Sequence, residues 1–112
     1  IRYVSRYHLE ARKTQASMRY TLSKIAEKDI EKLIEGSLLR FGIERTEQYQ
    51  QELHRCLILL SEEPKIGVAV DQIRKEYRKF PHDSHVIYYK VRRRDIFIVR
   101  VLHERMSHSQ LN

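Results

Sequence analysis

Residues 84–106 read SHVIYYKVRRRDIFIVRVLHERM. Two runs rich in β-branched and aromatic residues, 84–91 and 95–102, are interrupted by Arg92-Arg93-Arg94, the pattern of two strands joined by a basic hairpin. In the second run Phe97, Val99 and Val101 alternate with Ile96, Ile98 and Leu102, so both faces are apolar and the strand is expected to be central in its sheet. Arg100 breaks the second set. A guanidinium that keeps its charge either faces solvent at that position or has a partner there, which makes Arg100 the first residue to suspect of function.

Working outward, residues 71–74 lead into a further strand at 77–80, and Pro81-His82-Asp83-Ser84 reads as a turn, since Pro fixes its own φ and Asp can bond its own backbone. Three consecutive strands with short links form an antiparallel meander. Upstream, Ser23 is a good helix N-cap, with Glu27 and Asp29 in the early turns where the helix dipole favours anions. Ala26, Ile30, Leu33, Ser37 and Phe41 then recur at helical spacing, widened by Ile34 and Leu38, up to a stop at Gly42. A second helix is expected over about 44–60, with Thr46, Tyr49, Leu53, Cys56, Leu57 and Leu60 on one face, so the pair forms an antiparallel hairpin. Pro64 ends it, and residues 65–70 read as an irregular connection. A short strand at 19–22 precedes the helices. The expected fold class is therefore α+β: an N-terminal strand, an α-helical hairpin, then a three-stranded antiparallel meander with one face covered by the helices.

A chain of 112 residues is long enough for one two-layer core. The expected division is a domain over 18–112 behind an N-terminal extension, 1–17, that shows no sustained period. The single Cys56 cannot form an intrachain disulfide, and on a helical face among Leu53, Leu57 and Leu60 it reads as a small buried hydrophobe rather than a nucleophile. No apolar run is long enough to span a bilayer and no signal-peptide pattern is present, so a cytoplasmic protein with no membrane partner is expected. The formal net charge is +7, and it is unevenly placed: residues 74–112 hold ten basic and four acidic residues, while 18–73 hold eight and ten. A basic sheet half favours an anionic partner. Part of that charge also discourages sheet-to-sheet aggregation.

Several pieces, in this order and spacing, carry a resemblance: Tyr20-Thr21-Leu22-Ser23 followed by Ala26 and Asp29; Glu63-Pro64 with Ile66-Gly67; Asp71-Gln72-Ile73-Arg74; Tyr77-Arg78; Ser84-His85-Val86-Ile87-Tyr88; and Ile98-Val99-Arg100-Val101-Leu102-His103 with Met106. Together they make residues 18 to about 106 similar to the ParE toxins of bacterial toxin–antitoxin modules, within the RelE/ParE superfamily. The resemblance implies a non-enzymatic toxin that inhibits DNA gyrase and blocks replication, neutralised by a cognate ParD-like antitoxin whose flexible part wraps around it. It implies no cofactor and no metal, and no sequence-specific nucleic-acid binding. It places target contact on Arg78, Arg100, His103, Arg105 and Met106.

The alternative is a ribosome-dependent mRNA endoribonuclease of RelE type. Cleavage through a 2′-hydroxyl needs a base, an acid and cations to hold the charge that builds on the phosphate. Arg78, Lys79 and Arg100 would be the cations and His103 the acid or base. The set is partial, because Glu104 rather than a Tyr follows His103, and His85 stands where several ribonuclease relatives would have an Arg. Structural roles compete for the same residues: a backbone bond for His103, and an ion pair with Asp71, Glu76 or Glu104 for Arg100. Arg92, Arg93 and Arg94 read as a solvated hairpin tip, and His82 with His85 is a weak metal pair without a third ligand. A third reading is a basic module that binds nucleic acid without catalysis, with Tyr77, Tyr88 and Tyr89 as stacking candidates that are as easily core residues.

Overall fold

The computed structural model describes residues 19–106. Strand β1 (Tyr20–Leu22) leads through Ser23 into helix α1 (Lys24–Phe41), and Gly42 alone separates it from α2 (Ile43–Glu62). Ser23 caps α1 as expected, its Oγ accepting from the Ala26 N–H at 2.9 Å. The same hydroxyl donates to the Val99 carbonyl at 2.8 Å, and the Ser23 N–H donates to the Ile98 carbonyl at 2.9 Å, so one residue starts the helix and fastens it to the last strand.

Helix α1 buries Ala26, Ile30, Ile34 and Ser37. The buried stripe is centred on Ile34, with Leu33 at its margin, and Phe41 is 59 % exposed at the hairpin tip. Gly42 has φ +87°, a conformation that costs a glycine little, and its N–H closes the helix on the Leu38 carbonyl. Helix α2 buries Thr46, Gln50, Leu53, Cys56, Leu57 and Leu60. Inside the hairpin the Ser37 and Thr46 hydroxyls lie 2.8 Å apart, and Thr46 donates to the Gly42 carbonyl at 2.7 Å, so two buried hydroxyls are satisfied together.

The expected meander is present as β3 (Tyr77–His82), β4 (His85–Val91) and β5 (Ile96–His103). The sheet is larger than expected, with five strands in the order β1-β5-β4-β3-β2, and it is mixed. β1 pairs parallel to β5, Tyr20 opposite Ile96 and Leu22 opposite Ile98. At the other edge β2 (Val68–Ala69) pairs antiparallel with Lys79 and Arg78, inside the segment expected to be irregular. Two residues show no readable period, so side chains elsewhere specify this strand. The Tyr89 hydroxyl donates to the Pro64 carbonyl at 2.6 Å and accepts from the Gly67 N–H at 3.0 Å. A Cβ on Gly67 would stand 2.8 Å from the Lys79 carbonyl oxygen, so only glycine allows this approach.

The β3–β4 turn is also shorter than read. β3 continues through Pro81 to His82, leaving Asp83 and Ser84 as a two-residue turn with Asp83 at φ +54°. Pro81 is tolerated because β2 covers only Arg78 and Lys79, so β3 is an edge strand at Pro81.

The alternation expected along β5 breaks in the middle. Tyr89 lies opposite Ile98 but Tyr88 lies opposite Arg100, which leaves Val99 as an extra residue in a β-bulge. A slip of one residue exchanges the faces. Ile96, Ile98 and Val101 therefore all join the main core beneath the helices, with Ile87, Tyr89, Leu57 and Leu60. Leu102 and Tyr88 form a second, smaller cluster with Ile73, Val86 and Val99.

Candidate target-binding surface

Arg100 sits at the bulge, where β5 passes the start of α1. Its Nε donates to Asp29 Oδ2 at 2.8 Å and its Nη2 to Oδ1 at 3.0 Å, a two-pronged pair whose side chains are only 16 % and 13 % exposed. Asp29 Oδ2 also accepts the Val101 N–H at 3.1 Å. The carboxylate thus binds the guanidinium and a backbone group freed near the bulge. Asp29 thus stands where Asp71, Glu76 or Glu104 was expected, and Asp71 accepts the Glu76 N–H. Asp29 was legible as an early-turn acid of α1. What concealed the pairing is the 71-residue separation in sequence.

Arg78 and Lys79 are neighbours on β3 and so point to opposite faces. Arg78 is opposite Tyr89, a main-core residue, while Lys79 is opposite Tyr88 of the second cluster. Arg78 Nη1 donates to the Gly67 carbonyl at 2.7 Å, holding the β2 segment against β3. His103 closes β5 opposite His85, with ring centroids 5.4 Å apart and edge to face. Its Nδ1 accepts the Arg105 N–H at 3.1 Å, and its carbonyl accepts the Met106 N–H at 2.9 Å. The chain after β5 is therefore folded into a turn, on which Arg105 and Met106 are both exposed.

The sheet lines up His82, His85 and His103 across three adjacent strands, since His82 is opposite His85 and His85 opposite His103. Among the described residues no group of three or more His, Cys, Asp or Glu side chains is arranged to hold a metal ion. Burial, then the charges that His103 and His82 would carry, lowers the pKa of His85 and keeps it neutral at pH 7. Burial, with a smaller contribution from Asp83, pushes the Cys56 thiol up to about 11, so it is no nucleophile. Of the tyrosines considered for base stacking, Tyr88 and Tyr89 are buried and Tyr77 is half-buried beneath Arg74, so they make no stacking platform. The hairpin tip is more structured than read: Arg92 makes two bonds to Asp95, at 2.8 and 2.7 Å, and lies 4.5 Å over the Phe97 ring.

The five residues expected at the target surface are thus divided. Arg78 and Arg100 are engaged inside the fold, His103 is half-buried against His85, and Arg105 and Met106 stand open beside it. A second exposed group lies at the tip of the helical hairpin, where Leu39, Phe41 and Ile43 are 89, 59 and 64 % exposed and the Arg40 and Arg45 guanidinium groups lie over the Phe41 ring. No helix among the described residues is long and apolar enough to cross a membrane.

Comparison with known proteins agrees with the resemblance carried by the sequence. Residues 20–108 match the family described as ParE toxin of type II toxin-antitoxin system, parDE. The chain is 40 % identical over 92 residues to Toxin ParE1 of Mycobacterium tuberculosis (strain CDC 1551 / Oshkosh), covering 81 % of this chain and 94 % of the relative. It is 34 % identical over 88 residues to Toxin ParE1 of Caulobacter vibrioides, covering 79 % and 91 %. The chain therefore belongs to the ParE toxin family of type II toxin–antitoxin systems.

Proposed function

We propose that this toxin acts in the cytoplasm as a non-catalytic inhibitor of DNA gyrase, blocking replication until a ParD-like antitoxin neutralises it. The observation that carries the reading is the dispersal of the catalytic candidates. A ribonuclease site needs its cations and its proton-transfer groups to converge on one phosphate. Here Arg78 and Lys79 lie on opposite faces of β3, and Arg100 is committed to Asp29. His103 Nδ1 is occupied by a backbone N–H, and its nearest aromatic neighbour, His85, is neutral at pH 7. This arrangement supports inhibition by binding over cleavage of mRNA, and the family's known action on gyrase supplies the target.

The target-binding surface in this reading is the exposed turn after β5, centred on Arg105 and Met106 with His103 at its edge. Arg78 and Arg100 serve it only by holding β2 and β5 in place. The antitoxin covers a different region: its apolar side chains meet Leu39, Phe41 and Ile43, and its acidic ones meet Arg40 and Arg45. A supercoiling assay with purified gyrase tests the proposal. Loss of supercoiling with the wild-type chain, and its recovery with Arg105→Ala combined with Met106→Ala, supports it. Cleavage of mRNA in a translation extract, with gyrase unaffected, would move the assignment to the endoribonuclease.

A further inference from the structure

The β4–β5 hairpin carries three consecutive arginines, and the start of β1 brings a fourth beside them. Arg19, Tyr20, Thr21, Arg92, Arg93, Arg94 and Asp95 line an open cleft of about 550 Å³. Asp95 is the one acid among these lining residues, and it is already committed. It accepts Arg92 Nε and Nη2 at 2.8 and 2.7 Å and the Thr21 hydroxyl at 2.6 Å. The bonds from Arg92, and after them the one from Thr21 and the charge of Arg19, hold its carboxyl below the usual range. Arg92 is fixed from the other side by the Phe97 ring. Arg92 and Asp95 thus form a rigid, charge-balanced floor. Arg93 and Arg94 project from it, exposed, with no hydrogen bond or ion pair to any described residue.

We propose that this cleft grips the sugar–phosphate backbone of duplex DNA without reading its sequence, Arg93 and Arg94 making the principal phosphate contacts and Arg19 and Arg92 flanking them. The lining favours a phosphodiester over an acidic peptide. Protein partners gain most of their affinity by seating apolar side chains in pockets, and the large apolar side chain lining this cleft, Tyr20, is 2 % exposed and bonded through its hydroxyl to His54. A nucleic-acid backbone asks only for unneutralised cations, and guanidinium forks match its oxygens. A two-stranded β-ribbon is also narrow enough to enter a major groove of about 12 Å. The cleft lies at the Ile96 end of β5, seven residues or about 23 Å from His103 at the opposite end, so it is separate from the proposed gyrase-binding turn. It requires nothing of the gyrase reading, and its test contains no gyrase.

The test is fluorescence polarisation of the full chain with labelled duplexes of about 20 base pairs and two unrelated sequences, titrated from about 50 to 250 mM KCl. Both duplexes are expected to bind alike. Arg93→Ala with Arg94→Ala should reduce the steepness of log K against log salt by about two and weaken binding at least tenfold at 100 mM, with an unchanged unfolding midpoint. Arg40→Ala with Arg45→Ala removes the same charge at the far end of α1, about 27 Å along the helix, and should change affinity less than twofold. An unchanged salt slope in the Arg93, Arg94 variant, or an equal loss in the Arg40, Arg45 variant, overturns the site. If a labelled polyglutamate peptide of similar length binds as tightly as the duplex and depends equally on Arg93 and Arg94, the partner is an acidic protein and the proposal fails.

Discussion

Removing the Arg100 guanidinium should cost this protein stability before it changes what the protein touches. The pair with Asp29 is two-pronged and mostly withdrawn from water, and Asp29 also holds the Val101 N–H. Exposed ion pairs are worth about 0.2–1 kcal/mol, whereas stranding one partner of a fully buried pair costs about 3–5 kcal/mol. With side chains 16 % and 13 % exposed, the stranded Asp29 keeps some access to water, so Arg100→Ala should cost about 2–3 kcal/mol. Asp29→Ala removes the backbone acceptor as well and should cost about 1 kcal/mol more. The double variant strands no charge, so it should be less destabilised than the sum by about 1.5–2 kcal/mol. At about 4–8 °C per kcal/mol for a domain of this size, Arg100→Ala lowers Tm by roughly 10–20 °C. Urea unfolding followed by circular dichroism, at constant m, measures all four corners of the cycle. A single-variant cost below about 0.5 kcal/mol with no coupling would refute the reasoning, and would return Arg100 to the list of surface residues available to a target.

Three further outcomes follow from the same geometry. Because His85 has a lowered pKa in the fold, the unfolded chain binds more protons between that value and about 6.5, so stability falls as pH drops through this window and levels off below it. His103 and His82 add to the lowering while Asp83 and Asp29 oppose it. His85→Asn should therefore flatten the slope of unfolding free energy between pH 7 and 5 by up to about 1.4 kcal/mol per pH unit, and an equally steep profile in the variant contradicts this. Gly67→Ala should cost about 1–3 kcal/mol in the same urea assay, since its methyl meets the Lys79 carbonyl and the Tyr89 hydroxyl that anchors the β2 segment; a neutral substitution would show that the segment yields freely. Leu39→Asp with Phe41→Asp should weaken antitoxin capture at least tenfold in a calorimetric titration while leaving the unfolding midpoint in place, and unchanged affinity would remove the hairpin tip from the antitoxin interface.

The elements of the fold were legible where local chemistry repeats. Ser23 and Gly42 marked the ends of α1, and the apolar runs around Arg92-Arg93-Arg94 marked β4 and β5. β1 was legible as a strand, but its parallel place beside β5 was not, and β2 was not legible at all, because both depend on long-range partners: Tyr20 pairs with Ile96, and β2 is placed by Tyr89 and Arg78 from other strands. The bulge at Val99 was invisible for the same reason. Alternation along β5 continues unbroken in the sequence, and only the docking of Ser23 and Asp29 on residues 98–101 shows where the register slips. Arg100 was singled out as an oddly placed charge, and the structure pairs it with a helix carboxylate 71 positions away, Asp29. Arg105 and Met106, chosen beside it, are the residues that the turn after β5 leaves open.

In the proposed mode of action the toxin inhibits gyrase by binding through the turn after β5 and performs no chemistry of its own. Supercoiling of relaxed plasmid by purified gyrase, at rising concentrations of the chain, tests it most directly when run with three proteins: wild type, Arg105→Ala with Met106→Ala, and His103→Gln. We expect the wild type to abolish supercoiling, the double variant to lose inhibition while remaining folded, and His103→Gln to retain most of it. Full gyrase activity in the presence of the wild type, together with mRNA cleavage that disappears in His103→Gln, would contradict the account.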